Sequence, residues 1–240
     1  MINYFQNNWE VERLEILIAS EISEIIPDFK IGFIHYHDIT VSESPQMLKG
    51  RLQFFQELIF FELNDKKITD FPGILEWRQI FKKTGKDPNR YRHSAESLYR
   101  RVQKQNFLQT IHSAIDLNNF FSLQYQIPIG IYDQDKIHGD SITLRLGKER
   151  EAYRGLNGRD NTLQRLIVSS DVKGPFGSPF VDSERSAVTE NTKHAIQIVY
   201  LQPSLSEASA EKMVSSLANM FIQVNGGSCN YEIITGTSST

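Results

Sequence analysis

Cysteine is nearly missing from this 240-residue chain: Cys229 stands alone, which excludes an intrachain disulfide and any zinc cage built from thiolates. No run of 18 apolar residues occurs, so no membrane-spanning helix is expected. The opening MINYFQNNWEVERLEIL has no basic stretch followed by an apolar one, so it does not read as a signal peptide, and a cytoplasmic protein is expected. Motifs are missing too: there is no GxSxG, no phosphate-binding loop, no dinucleotide fingerprint and no HExxH, and no metal or cofactor is predicted. Internal repeats, low-complexity stretches and a Pro/Ser-rich linker are likewise absent. What is present is ordinary for a globular protein, with 40% hydrophobic residues, 23% charged residues, and 15 Phe, 9 Tyr and 2 Trp.

The net charge of −3 argues against a general affinity for nucleic acid, but the charge is unevenly spread. Residues 1–77 carry a balance of −7, residues 78–104 a balance of +7, and residues 105–240 a balance of −3. The basic island contains Arg78, Lys82, Lys83, Lys86, Arg90, Arg92, Arg100, Arg101 and Lys104. Two readings are open for it: a phosphate-binding face, or a solvated helical surface with ordinary lysines and arginines.

The pattern along the chain predicts a helix over 9–26, a strand over 30–41 and a helix from Ser44-Pro45 to about residue 62. A turn at 64–67 leads to a helix opened by Phe71-Pro72-Gly73 and closed by Gly85. Ser94 is the expected cap of the next helix, and another runs from Ile111 to about Tyr125 until Pro128 stops it. Four short strands are expected between 127 and 170, a loop at 173–180, a strand at 195–202, a helix from about 206 to 224, and a last strand in CNYEII before a frayed GTSST tail. Helices first and strands later indicate an α+β fold with a mainly antiparallel or mixed sheet core and helices packed on it. One domain over 1–240 is expected, with an N-terminal part to 88, a core over 89–202 and a closing helix and strand over 203–240.

Chemistry-bearing residues concentrate in three places. In NRYRHSAESLYRRV (89–102), Tyr91 and Tyr99 are able to stack bases or to sit in the core, the core being favoured for Tyr99. His93, beside Arg92, reads equally as a phosphate neighbour or a catalytic group. In the 111–140 segment, Asp116, Asn118 and Asn119 are polar groups on an apolar helix that must find partners; Asp116 is expected to brace a loop. Gly130, just beyond Pro128, allows close approach of a ligand or of backbone. The third place, 174–192, holds small, polar and charged residues between two strands, including Asp182, Ser183, Glu184, Arg185, Thr189 and Glu190. His35 and His37 are two apart on a strand and so share a face, as an exposed pair or as two metal ligands without a third.

The order of these segments resembles the editing (B-three/B-four) domain of the phenylalanyl-tRNA synthetase beta chain. Ile115-Asp116-Leu117-Asn118-Asn119-Phe120 resembles its Val-Asp-x-Thr-Asn-Tyr. Pro128-Ile129-Gly130-Ile131-Tyr132-Asp133 resembles Pro-x-His-Ala-Phe-Asp, and Lys136-Ile137-His138-Gly139 its Lys/Arg-Ile-x-Gly turn. Residues 182–192 resemble Gly-Glu-x-Ser-Gly-Val-x-x-x-Thr, with Glu184 on the glutamate and Ser183 on the glycine, and Ser94–Val102 resembles a Ser-Pro-x-Trp-Leu-x-x-Arg-Leu helix. The likeness covers about 89–200 and departs at Gly130, where the family motif has a histidine.

The resemblance implies a tRNA-binding protein that hydrolyses mischarged aminoacyl-tRNA in trans. It does not imply aminoacylation, since nothing in the chain resembles a charging core. Glu184 would be the catalytic group, holding the ammonium or orienting water. Asn118, Asn119, Gly130, Ser183 and Thr189 would shape the amino-acid site. Lys82, Lys83, Arg90, Arg92, Arg100 and Arg101 would grip tRNA phosphates. The alternative is a non-catalytic module for an amino acid or a tRNA 3′ end. An esterase or amidase acting on small aminoacyl compounds ranks behind both, since no nucleophile is evident.

Overall fold

β-Branched and aromatic residues of Lys30–His37 form the strand around which the molecule is organised, described in a computed structural model over residues 14–236. Chain order gives β1 (Glu15–Ile18), α1 (Ser20–Ile25), β2 (Lys30–His37), α2 (Gln46–Asp65), α3 (Pro72–Lys83), α4 (Ser94–Gln103) and α5 (Ser113–Tyr125). Then follow β3 (Ile129–Asp133), β4 (Ser141–Leu146), β5 (Ala152–Arg154), β6 (Asp160–Thr162), β7 (Ile167–Asp171), β8 (Gly174–Gly177), β9 (Ala195–Tyr200), α6 (Glu207–Asn225) and β10 (Ser228–Thr235). The result is α+β, as the sequence indicates.

Two four-stranded sheets make the core. One is antiparallel throughout, in the order β10-β2-β9-β3, with Phe33 opposite Ile198 and Ile198 opposite Gly130. The other is mixed, in the order β1-β4-β7-β8, with β1 parallel to β4 and the remaining pairs antiparallel. β5 and β6 form a separate hairpin.

Side-chain alternation along the first sheet separates two environments. Tyr36 and Gly32 meet α6: Tyr36 stacks on Phe221 with ring centroids 4.0 Å apart, and a Cβ on Gly32 would lie 2.3 Å from Val214. The opposite face, bearing Tyr132 and Tyr200, meets the second sheet, where Tyr132 packs edge-on against Phe176 and Tyr200 bonds Ser169 at 3.0 Å. A helical layer, one sheet and a second sheet are thus stacked, and buried apolar residues from Ile22 to Phe221 form one connected cluster.

Several boundaries differ from expectation. The 9–26 helix is reduced to Ser20–Ile25, and Glu15–Ile18 instead forms an edge strand on β4; the part over 9–13 lies outside the described residues. Local helical spacing yields there to the backbone bonds offered by the sheet edge. Gly174–Gly177 is a strand rather than a loop, and Pro175 is tolerated because β8 is the sheet edge. β6 has no counterpart among the predicted strands. His93, not Ser94, caps α4, its Nδ1 accepting from the Glu96 amide. The expected fraying of the tail concerns residues 237–240, outside the described residues.

Candidate functional site

The segments carrying the resemblance meet where β3 faces the loop after β8. Tyr132 on β3 donates its hydroxyl to Asp182 Oδ1 at 2.8 Å, and the same carboxylate accepts from the Ser178 amide at 3.2 Å. Tyr132 also bridges to Ala187 through backbone, Lys136 Nζ donates to the Ala187 carbonyl at 2.6 Å, and Thr192 Oγ1 donates to Asp133 at 2.7 Å. Arg185 closes the other side, reaching both oxygens of Asp171 at 2.8 and 3.1 Å and the carbonyls of Lys136 and Gly174. Two stretches some 50 residues apart are thereby fixed in one place.

Burial sets the electrostatics of this junction. It pushes the Asp182 carboxyl up from 3.8 to about 7, against the hydrogen bonds from Tyr132 and Ser178 that favour the charged form. Burial also raises the hydroxyls of Tyr132, Tyr153 and Tyr200, and the nearby Asp182 adds to each shift. These phenols stay neutral donors, and Asp182 changes charge near neutrality, the property of a proton-transfer group.

The expected site residues do not gather in one cavity. Gly130 lies on the inter-sheet side of β3, and the space its side chain would take is filled by Tyr132: a Cβ there would stand 2.0 Å from the phenol oxygen. Gly177 meets the same oxygen from the other side, at 2.2 Å. Asn118 lies beyond the opposite face of that sheet. Its Nδ2 donates to the Ile129 carbonyl at 2.9 Å and its Oδ1 accepts from Gln197 at 3.0 Å, while Gln197 accepts from Tyr36 at 2.8 Å. Both ends of the Asn118 amide are used in holding α5 to the sheet. Asn119, its neighbour on α5, is half-buried.

Glu184 is exposed, and its carboxylate stands 3.6 Å from Arg154 Nε rather than beside Arg185. Ser183 is buried and caps the short turn after it by accepting from the Arg185 amide at 3.2 Å. Thr189 is exposed, and its hydroxyl accepts from the Asn191 amide at 3.3 Å. Asp116 braces a loop as expected, accepting from Ser44 Oγ at 2.5 Å and from the Ile111 amide at 3.0 Å.

Within the basic island, Arg78 and Arg100 both bond the fully buried carboxylate of Glu96, at 2.8 Å each. Arg100 is therefore largely committed to the fold, whereas Lys82, Lys83, Arg90, Arg92 and Arg101 are exposed. Lys86 lies 4.1 Å over the Tyr91 ring. Tyr99 is in the core, donating to the Leu123 carbonyl at 2.9 Å. His93 is buried, not near solvent phosphate: burial lowers it from 6.5 to about 3, and the Arg78 charge adds to the effect. Lys83 also lines a cleft of about 440 Å³ with Lys148 and Arg165, two cations from the net-acidic 105–240 stretch.

His35 and His37 do share a face, with ring centroids 4.3 Å apart, and His194 stands 5.8 Å from His37. Among the described residues no group of His, Cys, Asp or Glu is arranged to hold a metal. Tyr200 and Arg154 carry no sequence signal of their own, whereas Asp182 is one of the polar residues of the 174–192 segment. Asp182 and Tyr132 stand inside the quoted motifs, but nothing in the sequence marks them as facing each other.

The chain belongs to the B3/4 domain family, whose profile matches residues 76–220. It is 32% identical over 214 residues to the uncharacterized protein YhzB of Bacillus subtilis, covering 89% of this chain and 96% of that protein. It is also 31% identical over 109 residues to the phenylalanine–tRNA ligase beta subunit of Paramagnetospirillum magneticum, where the match covers 44% of this chain but 14% of the subunit. An N-terminal fragment of the Pyrococcus horikoshii phenylalanyl-tRNA synthetase beta subunit superposes with a TM-score of 0.46 at 14% identity, over 93% of this chain and 52% of that one. Among the described residues no helix is long and apolar enough to cross a membrane.

Proposed function

We propose that this chain recognises the aminoacylated 3′ end of tRNA and hydrolyses the ester of a mismatched amino acid. The observation that carries the reading is the clamping of the 182–192 loop onto β3, which holds Glu184 as an exposed carboxylate beside Arg154 at the rim of the junction. An aminoacyl ester is already activated, so its hydrolysis needs chiefly a positioned water and stabilisation of the oxyanion. Water adds to the carbonyl carbon, the tetrahedral intermediate collapses, and the ribose oxygen leaves with a proton, giving free amino acid and tRNA. In this scheme Glu184 holds the ammonium group or orients the water. Ser183 and Thr189, on the same loop as Glu184, stand nearest the amino acid, whereas Asn119 on α5 and Gly130 beneath Tyr132 act from a distance by shaping the fold around it. Lys82, Lys83, Arg90, Arg92 and Arg101 contact phosphates. A deacylation assay over a panel of mischarged tRNAs, with Glu184→Ala alongside, tests it.

A second reading is binding without turnover. It is favoured by one observation: Tyr132 occupies the space beside Gly130 where the related motif carries a histidine. Tight, salt-sensitive tRNA binding with no release of amino acid from any member of the panel supports that reading over the first.

A further inference from the structure

Helix α2 is apolar on two faces, and among the described residues only one of them is covered. Leu48, Leu52, Ile59 and Leu63 are buried in the core. On the other side Met47, Phe54, Leu58 and Phe61 are 51, 62, 41 and 65% exposed. With Arg51 and Asp65 these residues recur at spacings of four and three (47, 51, 54, 58, 61, 65), which at 100° per residue keeps them within about 40° of one line along the helix. An exposed stripe with two phenylalanines is the pattern of an interaction face rather than of scattered surface apolar residues.

Two further features say what covers it. Gly50 sits inside α2 at the border of the stripe, and a Cβ there would meet nothing within 4 Å. Glycine weakens a helix, and no contact among the described residues requires it here, whereas a neighbouring helix could use the room for close approach. The charges of α2 are polarised: Lys49 and Arg51 lie in its first half, and Glu57, Glu62 and Asp65 in its second. Arg51 has no carboxylate partner among the described residues; its nearest polar contact is Met220 Sδ at 3.9 Å. Lys49 is turned to Glu43, and Glu62 is partly compensated by Lys66 at 3.1 Å on the open surface.

We propose that the α2 stripe pairs antiparallel with α2 of a second copy of this chain. Reversing the helix against itself sets Phe54 opposite Leu58 of the second copy and Leu58 opposite its Phe54. Arg51 then meets Phe61 and Glu62 of the second copy, and Gly50 makes room for them. The same contacts recur across the two-fold axis, as an isologous interface requires. A parallel pairing would place Arg51 against Arg51 and Glu62 against Glu62. A groove of about 500 Å³ between α2, α5 and α6, lined by Arg51, Phe120, Phe121, Met213 and Met220, continues the apolar area at the Arg51 end.

The test is sedimentation equilibrium of the full chain from about 1 to about 100 μM, concentrations at which interfaces of modest size associate. A dimer, twice the 27.6 kDa of one chain, is expected. Phe54→Glu is expected to raise the dissociation constant by about 30-fold or more, as loss of a central aromatic anchor does. Arg51→Glu and Glu62→Arg each weaken the dimer by about fivefold, and the two together restore it, because each changed residue meets the other in the second copy. A wild-type chain that stays monomeric at every concentration overturns the proposal, whether residues 1–13 or another macromolecule cover the stripe. A dimer indifferent to Phe54→Glu, or a double charge swap that fails to restore association, overturns it as well. Circular dichroism of each variant shows whether α2 is intact, since all the changed side chains are on its outer face.

Discussion

The Tyr132 hydroxyl lies 2.8 Å from the Asp182 carboxylate and ties strand β3 to the loop that presents Glu184. Tyr132 is held between Gly130 and Gly177, whose missing side chains leave room for its phenol. The histidine of the related motif is thus replaced by a glycine that admits a tyrosine from two residues further along the same strand.

Filling that space should be costly. Gly130→Ala puts a methyl group 2.0 Å from the Tyr132 oxygen, and a loss of about 1–3 kcal/mol is expected from overpacking. Tyr132→Ala removes the obstacle, so Gly130→Ala should cost much less in that background. Urea melts of the two single variants and the double variant measure this coupling.

Asp182 should make stability fall as pH rises. Its folded value of about 7 exceeds the ordinary 3.8, so the stability it contributes is fully present below about 3.8 and is lost as pH rises through about 7. Asp182→Asn abolishes this component. The melting temperature of the variant relative to wild type is expected to rise between pH 5 and pH 8, by about 2–4 °C for each kcal/mol relieved. A difference that does not change with pH contradicts the assignment.

His93 should act in the opposite direction. Its folded value of about 3 is below the ordinary 6.5, so its contribution is present above about 6.5 and is lost as pH falls toward about 3. His93→Asn keeps an acceptor at the start of α4 and cannot become charged. The variant is expected to lose less stability than wild type in thermal melts taken from pH 7 down to pH 4.

The basic island should divide into two groups. Glu96→Gln leaves Arg78 and Arg100 around a neutral amide and should cost about 3–5 kcal/mol in folding, as breaking a buried ion pair does. Arg90→Ala, Arg92→Ala and Arg101→Ala should leave melting nearly unchanged. Each that touches a phosphate should reduce the slope of log K against log salt for tRNA by about 0.7–0.9.

These predictions depend on features unequally visible in the sequence. The 3.6-residue spacing of α2 and α3 and the β-branched runs of β2, β3 and β9 are strong local signals, and those elements stand where the sequence places them. β1 gives no such signal, because Glu15–Ile18 is a strand only through its bonds to β4. Polarity alone could not separate Asn118 from a ligand-binding amide. Its two partners, the Ile129 carbonyl and Gln197, are supplied by other strands. In the sequence His93 beside Arg92 reads equally as a phosphate neighbour or a catalytic group, yet it faces Trp77 and Phe81 inside the fold. Asp182 is an ordinary acidic residue until β3 brings Tyr132 to it.

The most direct measurement of the proposed function is release of amino acid from a panel of mischarged tRNAs, followed on acid gels with the wild-type chain and with Glu184→Ala. Deacylation of at least one mismatched tRNA, slowed by the variant while tRNA binding persists, is the predicted result. No turnover on any tRNA in the panel contradicts hydrolysis and leaves the binding reading in its place.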